Sequence, residues 1–180
     1  MDAQKRSEID MLVVKAGGDH AALARLYELL RKDIFAIAYS ILGNSDAAED
    51  VISETFVRVW KGLSYKPRGD GSGKAFLLKV ARNISMELLR SERRTESLDD
   101  PAHAEDPDTA AEEKDLTDEM YLDYLMRSLQ EDECKIILLY YYSQLTFKEI
   151  AKVLSIPVST AKWRHDKAIE KLRKVAGGDL

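Results

Sequence analysis

Four carboxylates, Asp46, Glu49, Asp50 and Glu54, stand three or four residues apart, the spacing that puts side chains on one face of a helix. Clustered acids can hold a metal, but such a centre needs inward carboxylates with histidine partners. The three histidines, His20, His103 and His165, are far apart in sequence. A single cysteine, Cys134, also excludes zinc in the usual Cys/His spacing. On their own the four acids read as a solvated helix face. A second lead is Gly73-Lys74, which resembles the end of a phosphate-binding loop. That motif needs Gly where Arg68 stands and Ser or Thr where Ala75 stands, so nucleotide hydrolysis is rejected. No metal or cofactor is expected.

The basic residues point elsewhere. Net charge is −5, which argues against a nucleic-acid partner until its distribution is read. Between Glu96 and Asp115 nine acids face one base. Lys74 to Arg94 holds six bases against two acids, and Lys148 to Lys174 eight bases against three acids. Two basic stretches flanking an acidic tether suit two polyanion-facing surfaces.

The elements that carry these charges follow from the pattern. The 180 residues are 45% hydrophobic and 33% charged, with 9 Gly and 4 Pro, and apolar residues recur at steps of three and four, so a mostly helical chain is expected. The longest apolar run, Ile136 to Tyr142, is far short of the roughly 20 residues a membrane span needs. The charged N-terminus has no apolar segment behind it, and one cysteine allows no internal disulfide. No membrane insertion and a reducing, cytoplasmic setting are expected. About Asp19 to Ile41 reads as one long helix, or two with a break near Lys32-Asp33, stopped by Gly43-Asn44. Ser45 is placed to cap the next helix, which carries Ala48, Val51, Ile52, Phe56, Val59 and Trp60 inward and ends at Gly62. A Pro/Gly-rich loop, 65–73, precedes a third helix with Phe76, Leu77, Val80, Ile84 and Leu88 inward. These make a first bundle over residues 1–95. Residues 96–118 hold two prolines, many acids and no aromatic, and read as a flexible acidic linker. A second small helical domain fills 119–180, so the fold class is all-α with two domains.

In that second domain Thr146-Phe147-Lys148-Glu149 is a capping-box pattern. A short helix follows, then a turn over Leu154–Val158, and then a longer basic helix from Thr160 to about Lys174 with Ser159 as its cap. That is a helix-turn-helix. Ala161, Ala168, Ile169 and Leu172 pack its inner side and leave Thr160, Lys162, Trp163, Arg164, Lys167 and Lys171 outward. Lysine and arginine pair with phosphates or guanine edges, and threonine with either. Trp163 either stacks on sugar or a thymine methyl or covers part of the domain. Ser155 stands where such turns often place Gly, at a cost of about 1 kcal/mol if its φ is positive.

LTFKEIAKVLSIPVSTAKWRHDKAIEKLRK resembles the C-terminal DNA-binding region of sigma factors of the sigma-70 family. DIFAIAYSILGNSDAAEDVISETFVRVWKGL resembles that family's core-polymerase-binding region, and GKAFLLKVARNISMELLRSERR the region that reads and opens the −10 element. Two regions and a short linker are the layout of its extracytoplasmic-function class. The resemblance implies a transcription initiation factor, not an enzyme, with core RNA polymerase and promoter DNA as partners and an anti-sigma factor, often membrane-bound, as its usual inhibitor. It implies that Asp46, Glu49, Asp50, Glu54, Phe56 and Trp60 meet the polymerase, with Phe56 and Val59 serving mainly as packing. Lys74, Phe76, Arg82, Asn83, Arg90 and Arg93 would meet the −10 element, although Phe76 also reads as a core aromatic. Ser159, Thr160, Lys162, Trp163, Arg164, Lys167 and Lys171 would meet the −35 element. Phe76, where many members have Trp, and the Gly-rich loop depart from the pattern. The rivals are a dimeric helix-turn-helix regulator, a helical enzyme using the carboxylates, and an adaptor. There is no ligand domain or long heptad for the first and no histidine ligand for the second.

Overall fold

The computed structural model describes residues 3–63, 65, 72–96 and 128–176, with the backbone alone for residue 3 and for 92–96. Every regular element among them is helical. The acidic linker, the loop 66–71 and the helix expected from Glu119 lie outside the described residues, apart from the end of the last, where Leu129 is buried.

Helix α1 (Ala3–Lys15) is an element the periodicity does not announce. Ile9 and Val13 are buried while Met11 and Val14 are more than half exposed, so no one-sided stripe marks it. Helix α2 (His20–Leu42) is unbroken at Lys32-Asp33. It starts where the Asp19 carboxylate accepts from the N–H groups of Ala21 and Ala22, at 3.0 and 3.1 Å. It stops at Gly43, whose φ of 64° suits glycine, with the Gly43 N–H donating to the Tyr39 carbonyl. Helix α3 (Ser45–Trp60) is capped by Asn44 and not by Ser45, because the Asn44 side chain accepts from the Ala47 N–H at 3.0 Å and Ser45 is already helical. Helix α4 (Gly73–Glu96) begins with the Ser72 hydroxyl accepting from the Ala75 N–H. Leu26, Leu30, Ile34, Val51, Ile52, Leu77 and Leu78, each at most 1% exposed, fill the space between α2, α3 and α4.

The second unit comprises α5 (Glu131–Ile137), α6 (Phe147–Leu154) and α7 (Val158–Ala176). The apolar run after α5 is not plain α-helix. Leu138–Tyr142 is wound as π-helix, closed by Ser143 N–H donating to the Leu138 carbonyl five residues back. The wider turn buries Leu139 and leaves Tyr141 and Tyr142 about half exposed. The two units pack directly on one another. Helix α4 lies on α6, α2 touches α5, and one continuous cluster of buried residues runs from Leu26 and Leu77 to Leu139, Ile150 and Val153.

Candidate nucleic-acid interface

The capping box written in Thr146 and Glu149 forms. The Thr146 hydroxyl accepts from the Glu149 N–H at 3.3 Å, and the Glu149 carboxylate accepts from the Thr146 N–H at 2.8 Å. Helix α6 ends at Ser155, whose φ of 57° is the left-handed conformation expected for this turn. Helix α7 starts at Val158, two residues earlier than a Ser159 cap would place it, with the Ala161 N–H reaching the Pro157 carbonyl. Ala161 and Ala168 are buried beneath it. His165, unassigned by the sequence, holds α7 to the π-helical turn. Its ring lies 4.8 Å from Tyr140, 5.8 Å from Tyr141 and 5.2 Å from Phe147.

The outward set of α7 divides in two. Ser159, Lys162, Trp163 and Lys167 face solvent, with Thr160 half-buried beside them. Trp163 is 56% exposed and carries the Lys167 ammonium 4.5 Å from its ring centre, so the indole stands on the surface and does not cover the domain. Arg164 and Lys171 are turned away from the position the sequence suggests. Arg164 Nη1 meets Asp132 at 2.6 Å, and Lys171 Nζ meets the buried Glu133 at 2.7 Å, both on α5. The acids that load the first turn of α5 draw these two cations inward. Burial pushes the Glu133 carboxyl up, but the hydrogen bonds from Lys171 and the Gln130 N–H and the charges of Lys171 and Lys167 outweigh it and hold it below its usual range.

On α4 the expected set also divides. Asn83 and Arg90 are exposed and Arg82 is half-buried. Lys79, not singled out in the sequence, is exposed one turn before Asn83 and shares its face, which i, i+4 spacing alone would have indicated. Lys74 is 6% exposed, its ammonium 2.8 Å from Asp33 on α2. In this packing it is an internal ion pair and not a surface cation. Phe76 is half-buried, its ring 5.0 Å from Tyr65. The side chain of Arg93 lies outside the described residues.

On α3, Asp46, Glu49 and Asp50 are exposed, and Glu54 is partly exposed and bonded to Arg58 at 2.8 Å. Phe56 is 6% exposed with its ring on Tyr27, so it packs in the core and is not on the exposed face with the acids. Trp60 is half-buried against His20, ring centres 4.2 Å apart. No group of three or more His, Cys, Asp or Glu among the described residues is arranged to hold a metal. No helix among them is long and apolar enough to cross a membrane.

Two family models match this framework. Residues 26–95 match Sigma-70 region 2, and residues 125–174 match Sigma-70 region 4. The chain belongs to the sigma-70 family of transcription initiation factors, which direct RNA polymerase to promoters. Within it the relatives are of the extracytoplasmic-function class. The chain is 26% identical over 173 residues to the ECF RNA polymerase sigma factor SigK of Mycobacterium tuberculosis, covering 93% of this chain and 92% of that protein. It is 26% identical over 172 residues to SigW of Bacillus subtilis, covering 87% and 90%. The fold resembles CnrH, solved in complex with the cytosolic domain of CnrY, with a TM-score of 0.64 at 20% identity over 96% of this chain and 99% of that one. It also resembles the sigma factor RpoE of Bartonella quintana, solved with the anti-sigma factor NepR, with a TM-score of 0.66 at 20% identity over 87% and 98%.

Proposed function

We propose that the sigma-factor activity of this chain is divided among three surfaces. The α7 face of Ser159, Thr160, Lys162, Trp163 and Lys167 takes the −35 duplex. The α4 face of Lys79, Arg82, Asn83 and Arg90 takes the −10 strand, and the α3 acids Asp46, Glu49, Asp50 and Glu54 dock on core polymerase. The observation that carries this reading is α7 itself. A capped helix and a left-handed turn hold it out with an indole and two ammonium groups in solvent, and basic groups beside an aromatic suit phosphate and base contacts. On α4, exposed cations with an amide suit capture of a displaced strand. The units 1–95 and 119–180 act as the two promoter-reading domains, tethered by 96–118. The acids of that tether run along a basic channel of the polymerase. The chain works in the cytoplasm and carries out no covalent chemistry of its own. An anti-sigma factor is its regulator, as NepR is the partner of the structurally similar RpoE.

The test is transcription in vitro from a pool of promoter fragments, using purified bacterial core polymerase with and without the chain. Discrete transcripts that require the chain are expected. No transcripts, and no co-migration with core polymerase, would overturn the reading and favour a stand-alone helix-turn-helix regulator.

A further inference from the structure

One carboxylate of α1 reaches both ends of the loop 65–73. Asp10 Oδ1 accepts from the Tyr65 hydroxyl at 3.0 Å and from the Gly73 N–H, donors that stand 55 and 63 residues away along the chain. Gly73 opens α4, so its N–H is one of the first-turn donors with no partner inside the helix, and an acid suits that end of the helix dipole. The approach is close enough to require glycine there. A Cβ on Gly73 would lie 3.0 Å from Asp10 Oδ1 and 3.0 Å from Val13 Cγ2. Tyr65 is turned back just after α3 by its N–H, which donates to the Leu63 carbonyl at 2.9 Å. Its ring then lies 5.0 Å from Phe76 on the first turn of α4, and both rings keep part of their surface in solvent. Phe76 falls on the helix face that carries Lys79, Asn83 and Arg90, at steps of three, four and seven. Packing alone does not call for a carboxylate at residue 10, since Ile9 and Val13 already anchor α1 in the core. Burial, the bond to Asp10 and the Asp10 charge all keep the Tyr65 phenol well above its usual range, so it stays a donor.

We propose that Asp10 is a positioning residue for −10 recognition: its carboxylate fixes the Tyr65 ring against Phe76 at the head of α4, where the pair offers a stacking surface to an unpaired base. An aromatic platform suits that task because every base has a π-face, and its value depends on the ring being held in place before the base arrives. The role of the surface rests on the promoter reading above. The Asp10 assignment is additional to it, since Asp10 precedes residue 26, where the match to Sigma-70 region 2 begins. Three substitutions separate the bond from the charge and the ring. Asp10→Ala removes the acceptor. Asp10→Asn keeps an acceptor oxygen and loses the charge. Tyr65→Phe keeps the ring and loses the donor.

The experiment reconstitutes holoenzyme from purified core polymerase and the full chain, each form first checked for native helix content. The probes are two labelled fragments of a promoter selected by the transcription assay, read by fluorescence anisotropy. One is held open across the −10 element by mismatches, and the other is a fully paired fragment carrying the −35 element alone. Asp10→Ala and Tyr65→Phe are each expected to bind the open probe about tenfold more weakly, the value of one stacked base, with the −35 fragment unchanged. Both act through one bond, so the double variant is expected to be no weaker than Asp10→Ala, and Asp10→Asn to stay close to wild type. Wild-type affinity of Asp10→Ala for the open probe, or an Asp10→Asn as weak as Asp10→Ala, overturns the assignment. So does equal weakening on both probes, which would make Asp10 a part of the fold alone. Losses that add in the double variant overturn the route through Tyr65. Should Asp10→Ala lack native helix content, Tyr65→Phe decides, and its wild-type affinity for the open probe overturns the proposal. Transcripts from wild type keep the two failures apart: without them the promoter reading itself fails, and the proposal with it.

Discussion

Lys74 shows how far a residue's place in the fold can depart from its place in a motif, and the difference can be measured. As a strand-contacting cation Lys74 would stand in solvent, and its removal would weaken DNA binding without touching stability. In the structure its ammonium is 2.8 Å from Asp33, with side-chain exposures of 7% and 11%. Asp33 Oδ1 has no hydrogen-bond partner among the described residues, so Lys74 is the main compensation for that charge. Lys74→Met leaves a buried carboxylate unpaired, at about 3–5 kcal/mol. Against a total stability of roughly 5–15 kcal/mol this is a large fraction. With a urea m-value of about 2 kcal/mol/M the midpoint falls by roughly 1.5–2.5 M. Replacing both partners, Lys74→Met with Asp33→Leu, removes the charge along with its partner and recovers most of the loss. Urea unfolding of wild type, the single and the double variant, followed by far-UV circular dichroism, is the assay. A Lys74→Met midpoint within about 0.5 M of wild type would refute the argument and return Lys74 to the surface.

Three further outcomes are expected. Ser155→Gly relieves the left-handed serine at the end of α6 and raises stability by about 0.5–1 kcal/mol, read as a higher thermal midpoint. Glu133 and Glu149 both titrate below the usual carboxyl value of 4.5, so their contribution is complete above that pH and is lost as pH falls through their lowered values. Urea midpoints measured downward from pH 6 should therefore drop below about pH 4.5, and less steeply in Glu149→Gln. Lys162→Ala with Lys167→Ala reduces the slope of log K against log salt for promoter duplex by about 2, whereas Lys171→Ala, already engaged by Glu133, leaves it nearly unchanged. A slope unaltered by the first pair would remove α7 from the DNA face.

Local chemistry made much of the molecule legible in advance. Asp19 and Gly43 at the ends of α2, the Thr146–Glu149 box and the turn at Ser155 are short-range devices, complete within a few residues, so the chain states them directly. The apolar stripes of α2, α3 and α4 are likewise written at helical spacing. Helix α1 was not, because its apolar residues fall on two sides and only contact with the rest of the bundle selects Ile9 and Val13 as the buried ones. The π-helical turn at Leu138–Tyr142 was not either, since a run apolar throughout carries no period to break.

The basic and acidic residues mark the limit most clearly. Their number, sign and spacing along α4 and α7 belong to the sequence, and they sufficed to point toward DNA. Which of them remain free to meet it is decided by partners that are distant along the chain. Asp33 takes Lys74, 41 residues on, Glu133 takes Lys171, 38 residues on, and Asp132 takes Arg164, while Lys162 and Lys167 stand exposed to solvent. A helix periodicity says which way a side chain leaves its own axis. Only the packing of the other helices says whether it leaves into water or into an opposing charge, and that is why the surface had to be read from the fold.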